Sequence, residues 1–231
     1  MRVVLLDIGE KMPDLWRRAI GRRRVSGVDV VVFKGQLPQL GAYLRTVNRT
    51  SIVSPGNSAG FMGGGFDKSL ASFFRQGGDW KVTEMHVRLS LKGYVPLGTA
   101  NLVKFDAEFY KTSPAWTTLR ASSIIHVPTM RAPQKLWDGS ISRWRGFVFD
   151  CVWAVLVEVE AANKRDSSQI IDTIVIPSLG TGYGELPQDL VADAMVAAIT
   201  IFFDDIGSDE KTFAALEYVD GCGKEGFVEE I

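Results

Sequence analysis

Cysteine and histidine are scarce: Cys151, Cys222, His86 and His126 are all that the chain carries. Two cysteines cannot complete a structural zinc site, and in a reducing compartment they are not expected to pair. No metal and no cofactor are therefore expected. Long apolar runs are missing too; none reaches the roughly 18 residues that a membrane-spanning helix needs. The amino terminus lacks the layout of a signal peptide, so the expectation is an intracellular protein, cytoplasmic or nuclear or both, with no membrane partner. Charge of one sign is also lacking. The 26 Lys and Arg against 27 Asp and Glu leave a net charge of −1, which gives no global attraction for nucleic acid or anionic lipid. Partners must be sought in a local site. Internal repeats and low-complexity tracts are absent.

What is present is core. With 231 residues and 46% hydrophobic content, the chain suits one large domain over residues 1–231. Short apolar runs at 2–8, 28–33, 52–53, 93–103, 123–127 and 170–176 read as strands, and glycine and proline near the start of the fourth suit a sheet edge. Between them, residues 13–20, 38–45, 66–75, 80–91, 143–163 and 188–203 read as helices, and 213–219 as a possible last strand. In the longest helix Val148, Val152, Val155, Leu156 and Val159 form a helical stripe, and Cys151 falls within it as inert core. The alternation of strands and helices predicts an α/β fold of three layers, α/β/α, around a mixed, mostly parallel sheet. Residues 105–122 read as an excursion outside the core, and 130–142 as a loop that overhangs the ligand crevice. Trp137, in that loop, either stacks on a base or packs. The arginines at 17, 18, 22, 23 and 24 form either a solvated face or a contact for an acidic partner.

Two loops carry the chemistry. The first follows the strand at Ile52 and Val53 and runs Ser54-Pro55-Gly56-Asn57-Ser58, then Gly63-Gly64-Gly65-Phe66-Asp67 into a helix. Glycines at such a turn let the backbone approach a bound group with its N–H donors forward, and a helix start favours an anion, most often phosphate. Asn57 offers both a donor and an acceptor, and Asp67 a carboxylate on the first helical turn. The second loop, Ser178-Leu179-Gly180-Thr181-Gly182-Tyr183-Gly184, again links a strand to a helix. In a parallel sheet both would leave the carboxyl ends of their strands and face one crevice. Two phosphate-binding turns there suit a diphosphate.

These segments, in this order, resemble the macro domain family of ADP-ribose-binding modules. The wording Ser-Pro-Gly-Asn-Ser, together with residues 125–133, is more similar to a fungal and bacterial branch than to the animal enzymes. The resemblance implies a diphosphate held by Gly63, Gly64 and Gly65 on one side and by Ser178, Leu179, Gly180, Thr181, Gly182 and Tyr183 on the other. It places the second ribose against Asn57 and Asp67, the catalytic pair of the hydrolytic members. Ser54 joins the ligand set where the animal hydrolases carry an asparagine. Gln36 stands where the family usually has an aspartate that accepts from the adenine amino group, with Asp7 as an alternative acceptor. Gly184 replaces an aromatic, which is expected to open the site near that ribose.

The resemblance implies a hydrolase that removes mono-ADP-ribose from acidic protein side chains or dephosphorylates ADP-ribose 1″-phosphate; a non-catalytic ADP-ribose reader is the alternative. ADP-ribose or an ADP-ribosylated protein is the expected partner, nucleic acid is not, and a monomer is expected. For Asp67 the competing reading is a helix-dipole contact, and for His126, at the crevice end of its strand, a histidine satisfied by backbone groups. A dinucleotide-dependent oxidoreductase fits poorly, since Gly180-x-Gly182-x-Gly184 lacks the required glycine spacing.

Overall fold

The computed structural model describes residues 1–44, 49–75 and 78–221. Its elements run β1 Arg2–Asp7, α1 Lys11–Gly21, β2 Asp29–Lys34, α2 Leu37–Tyr43, β3 Thr50–Ser54, α3 Gly65–Phe73, α4 Trp80–Ser90 and β4 Asn101–Lys104. They continue with α5 Ala107–Tyr110, α6 Pro114–Leu119, β5 Ala121–His126, α7 Ile141–Arg165, a 3-10 turn at Ser167–Gln169, β6 Thr173–Pro177, α8 Gln188–Phe203 and α9 Ser208–Asp220. The six strands form one sheet in the order β2-β1-β6-β3-β5-β4. Every neighbouring pair is parallel except β4 with β5, which puts the one antiparallel strand at an edge.

Side chains alternate across this sheet with period two, and both faces are buried. Val3 and Leu5 of β1, Ile174 and Ile176 of β6, and Ile125 of β5 face a core shared with α1, α7 and α8. Val4, Leu6, Val175 and Ile124 face the opposite core, closed by α2, α3, α4 and α6. Strands buried on both faces read as continuous apolar runs, which is why the sequence shows no polar alternation in them. The result is a three-layer α/β/α molecule with a mixed, mostly parallel sheet. In α7 the expected stripe is buried, Cys151 within it, and burial pushes that thiol far above its ordinary range. His86 stacks on Phe105 with its Nε2 2.9 Å from the Lys104 carbonyl oxygen.

Two expectations are corrected. Residues 213–219 are not a strand but lie within α9. Ala215, Tyr218 and Val219, three and four residues apart, pack on the α7 and α8 core, and Gly221 at φ +71 ends the helix. The stretch 105–122 is not outside the core. Phe105, Ala115, Leu119 and Ala121 are buried on the sheet, because Ala115 and Leu119 share one face of α6 at a four-residue step. Of the arginine cluster, Arg17, Arg18, Arg22 and Arg24 are exposed, as a solvated face requires, while two of its members reach an acid within the chain. Arg23 grips Asp193 of α8 through Nη1 at 2.8 Å and Nη2 at 2.9 Å, Arg22 joins at 3.1 Å, and Tyr218 donates to the same carboxylate at 2.9 Å. One carboxylate thereby ties α1 and α9 to α8. Residues 222–231, Cys222 among them, lie outside the described residues, as do Arg45, Gln76 and Gly77.

Candidate functional site

The carboxyl ends of β1, β3, β5 and β6 open into one crevice, and both glycine loops leave from it. A cavity of about 500 Å³ is walled by Asn57, Gly63, Gly64, Gly65 and Asp67 of the first loop and by Ser178, Gly180, Thr181, Gly182 and Tyr183 of the second. Thr129, Met130 and Pro133 complete it from the segment after β5. The loops touch: a Cβ at Gly64 would stand 3.3 Å from the Tyr183 hydroxyl. Gly65 is the one glycine of its triplet at positive φ, +54. Gly64 supplies no side-chain cap to α3, so the leading N–H groups of that helix remain open to a ligand or water.

A second cavity, about 630 Å³, continues past Ile8, Gly65, Phe66 and Ser178, which belong to both walls. Leu37, Pro38, Phe73 and Pro114 make it apolar, and Asp7, Gln36 and Arg75 reach it. At the start of α2 the Gln39 side chain accepts from the Gln36 N–H at 2.8 Å, and the Gln39 N–H donates to the Gln36 backbone carbonyl at 3.0 Å. Asp7 is likewise engaged, accepting from the Gly9 N–H at 2.7 Å and from the Ser178 hydroxyl at 2.6 Å. Thr181 donates to Ser178 at 2.9 Å. The Thr181 hydrogen, expected on a phosphate, is thus spent inside the loop.

Asn57 braces the first loop. Its Oδ1 accepts from the N–H groups of Ala59 and Phe61 at 3.2 and 3.3 Å, and its Nδ2 donates to the Phe61 carbonyl at 2.8 Å. Asn57 also lines the cavity, and its amide has a second N–H. Asp67, 8% exposed, lies on the cavity wall. Burial raises its pKa from 3.8 to about 7, against the lowering effect of the Ser54 hydroxyl. No ion pair reaches it among the described residues.

Two sequence-designated residues are not on the wall. Ser54 is fully buried and donates to Asp67 Oδ1 at 2.8 Å. Leu179 is fully buried as well and points into the α7 and α8 core. Gly184 does not open the site. A Cβ there would meet the Gly180 carbonyl oxygen at 2.4 Å and Leu136 at 2.8 Å, so the position faces the interior of its own loop, and Tyr183, 63% exposed, fronts the cavity instead. The segment 130–142 supports this loop from behind: the N–H groups of Leu136 and Trp137 donate to the Gly184 carbonyl. Trp137 packs on the core rather than over a ligand.

His126 is fully buried and only half of it answers to backbone. Its Nε2 lies 3.0 Å from the Asn57 carbonyl oxygen and its Nδ1 3.1 Å from Ser54 Oγ. Burial lowers its pKa from 6.5 to about 4, offset in part by the Asn57 carbonyl. A chain of hydrogen bonds therefore runs from the cavity-wall carboxylate to the end of β5. Sequence reading missed this link, although a signal existed, since Ser54 and His126 close adjacent parallel strands and are register partners.

The family model described as Macro-like domain matches residues 1–229. An uncharacterized protein of Aquifex aeolicus (strain VF5) is 29% identical over 175 residues, spanning 76% of this chain and 83% of that one. Among solved structures, a variant of the Oceanobacillus iheyensis macrodomain with ADPR is 17% identical, with 76% of this chain and 87% of that chain covered and a TM-score of 0.49. The same macrodomain with ADP is 19% identical, with 73% and 81% covered and a TM-score of 0.47.

Proposed function

Because the chain belongs to the Macro-like domain family, we propose that its crevice binds ADP-ribose and that Asp67 makes it a hydrolase of an ADP-ribose derivative. The carrying observation is the meeting of Gly64 with Tyr183, which sets two glycine loops around one cavity with a buried carboxyl in its wall. The diphosphate sits between the loops on backbone N–H groups and the α3 dipole. The adenosine extends into the apolar cavity beside Phe66 and Gln36, and the second ribose lies at Asn57 and Asp67.

For an ester to an Asp or Glu side chain, water attacks the anomeric carbon, and the bond from that carbon to the carboxyl oxygen breaks. The attacking water gives its proton to ionised Asp67, the side chain leaves as a carboxylate, and ADP-ribose keeps the new hydroxyl. The proton returns to solvent before the next turnover. A carboxyl of pKa about 7 is a far better base than an ordinary one and is still half ionised near neutrality. A reader would need the loops but not a carboxyl raised into this range by burial, and this favours the enzyme.

Calorimetry with ADP-ribose, AMP and NAD, followed by incubation with glutamate-linked mono-ADP-ribosylated protein and with ADP-ribose 1″-phosphate, tests both steps. The expected result is tight binding of ADP-ribose with negligible NAD binding, release from one substrate, and loss of release in Asp67→Ala with binding retained. Binding without release by the unaltered chain would leave the reader; no binding would refute the site.

A further inference from the structure

The Ser54 hydroxyl has one hydrogen and two acceptors competing for it. On one side is Asp67 Oδ1 at 2.8 Å; on the other is His126 Nδ1 at 3.1 Å. The tautomer is fixed from the far side of the ring. A carbonyl oxygen only accepts, so the 3.0 Å contact with Asn57 O puts the hydrogen on Nε2 and leaves Nδ1 of the neutral ring a bare acceptor. Ser54 and His126 are fully buried, so water cannot make up a bond missing at Nδ1.

The chain passes over this cluster at a residue without a side chain. A Cβ at Gly56 would lie 2.5 Å from His126 Cε1 and 2.9 Å from Asp67 Oδ2. Imidazole and carboxyl thus flank the same backbone unit. The neighbouring charged and titratable groups are committed elsewhere. Lys68 of α3 lies over the Trp80 ring, Glu84 of α4 accepts from the Met62 N–H, Asp7 of β1 holds Ser178, and Tyr183 stands against Gly64 across the cavity.

We propose that Ser54 and His126 are positioning residues that set the basicity of Asp67: the Ser54 hydrogen points to Asp67 while the carboxylate is anionic and turns to His126 once Asp67 takes a proton. A carboxylate outcompetes an imidazole nitrogen for a donor, and a neutral carboxyl does not. When Asp67 accepts the proton of the attacking water, the freed Ser54 hydrogen finds Nδ1, and no buried acceptor goes without. The protonated product of the base step is thereby stabilised by His126, which receives no net proton. The deprotonated state, by contrast, leaves Nδ1 unpaired in the core, a cost that falls on the anion. This inference rests on the hydrolase reading for its catalytic meaning but not for its first test.

With only two histidines in the chain, ¹⁵N-imidazole NMR of the unliganded protein can follow His126 beside His86. The expected result is an Nε2–H ring from about pH 6 to pH 9, whose Nδ1 resonance moves toward that of an unbonded nitrogen in a step near pH 7 and shows no step in Asp67→Asn. An Nδ1–H tautomer, or a flat trace in the unaltered chain, would overturn the proposal. The second test is the acidic limb of the pH–rate profile. His126→Phe gives Asp67 undivided use of the Ser54 hydrogen and should move the limb down by roughly one pH unit; Ser54→Ala should move it up, and Ser54→Thr should restore it. Opposite shifts support the relay, since purely structural damage would lower the rate without moving the limb in two directions. Limbs that stay put would overturn it. A step in the NMR trace without turnover of any substrate would sink the hydrolase reading while supporting the shared hydrogen.

Discussion

Replacing Asp67 with asparagine should stabilise the protein, and increasingly so as pH rises. The unfolded carboxyl ionises at 3.8 and the folded one at about 7, because folding strips it of water. A folded pKa above the unfolded one means that the native state holds the proton more tightly. Stability contributed by the protonated group is then complete below pH 3.8 and is lost as pH rises, until the folded group ionises at about 7. Asparagine copies the shape and does not titrate. Between pH 5 and pH 7 the parent loses about 1.4 kcal/mol per unit that the variant keeps, and above pH 7 the difference levels off. The gain of Asp67→Asn over the parent should therefore grow by about 3 kcal/mol from pH 5 to pH 9.

Whatever hydrogen bond the amide gains or loses to Ser54 is independent of pH to first order and subtracts out. His126 also cancels, because burial keeps the folded ring neutral down to about pH 4: its contribution is present above pH 6.5 and lost only as pH falls toward 4, in both proteins. Urea unfolding of the two proteins at pH 5 and pH 9 supplies the double difference. A gain that is constant or shrinks with pH would refute the argument that desolvation of an ionisable Asp67 is held within the native site. Loss of turnover in the same variant would show stability being sacrificed at a catalytic carboxylate.

The second glycine loop makes a paired prediction. Gly184→Ala drives a Cβ into the Gly180 carbonyl oxygen at 2.4 Å and should cost about 2–3 kcal/mol in urea unfolding and weaken ADP-ribose binding. Gly182→Ala meets nothing within 4 Å and should change stability by less than about 0.5 kcal/mol. At the adenine end, Gln36→Asp replaces a neutral amide with a carboxylate at a residue that lines the apolar cavity. Calorimetry should show it improving ADP-ribose binding over the inosine analogue, and an unchanged ratio would remove position 36 from base recognition.

The parts of this molecule legible in the sequence are those whose cause is local. Apolar runs such as Val3 to Leu6 announce buried strands, the 148–159 stripe announces α7, and Gly63 to Gly65 before an apolar helical run announces a strand, loop and helix. What stayed hidden depends on which segments meet. The order that inserts β6 between β1 and β3 is written in no single stretch. The bidentate hold of Arg23 on Asp193 joins residues 170 apart in sequence. The α9 segment failed for a different reason: Phe213, Ala215, Tyr218 and Val219 fit a strand and a helix about equally when short, and only the packing of Ala215, Tyr218 and Val219 on α7 and α8 decides.

At the site, the two loops named from the sequence wall one cavity, and most of their polar side chains are engaged within the loops themselves. Asn57 spends its amide on Ala59 and Phe61, Thr181 donates to Ser178, and Ser178 to Asp7. Each polar residue that a motif reading would aim at the ligand is first a strut of the loop that carries it. The surface left for an anion is then largely main chain, shaped by Gly63, Gly64, Gly65 and Gly182, whose missing side chains are the feature that matters. Such a wall recognises charge and shape and has no acid or base of its own. On the proposed hydrolase reading, chemistry must enter through a group held at that wall yet governed from behind it, and Asp67, backed by Ser54 and His126, is the carboxyl lining the cavity that meets this description.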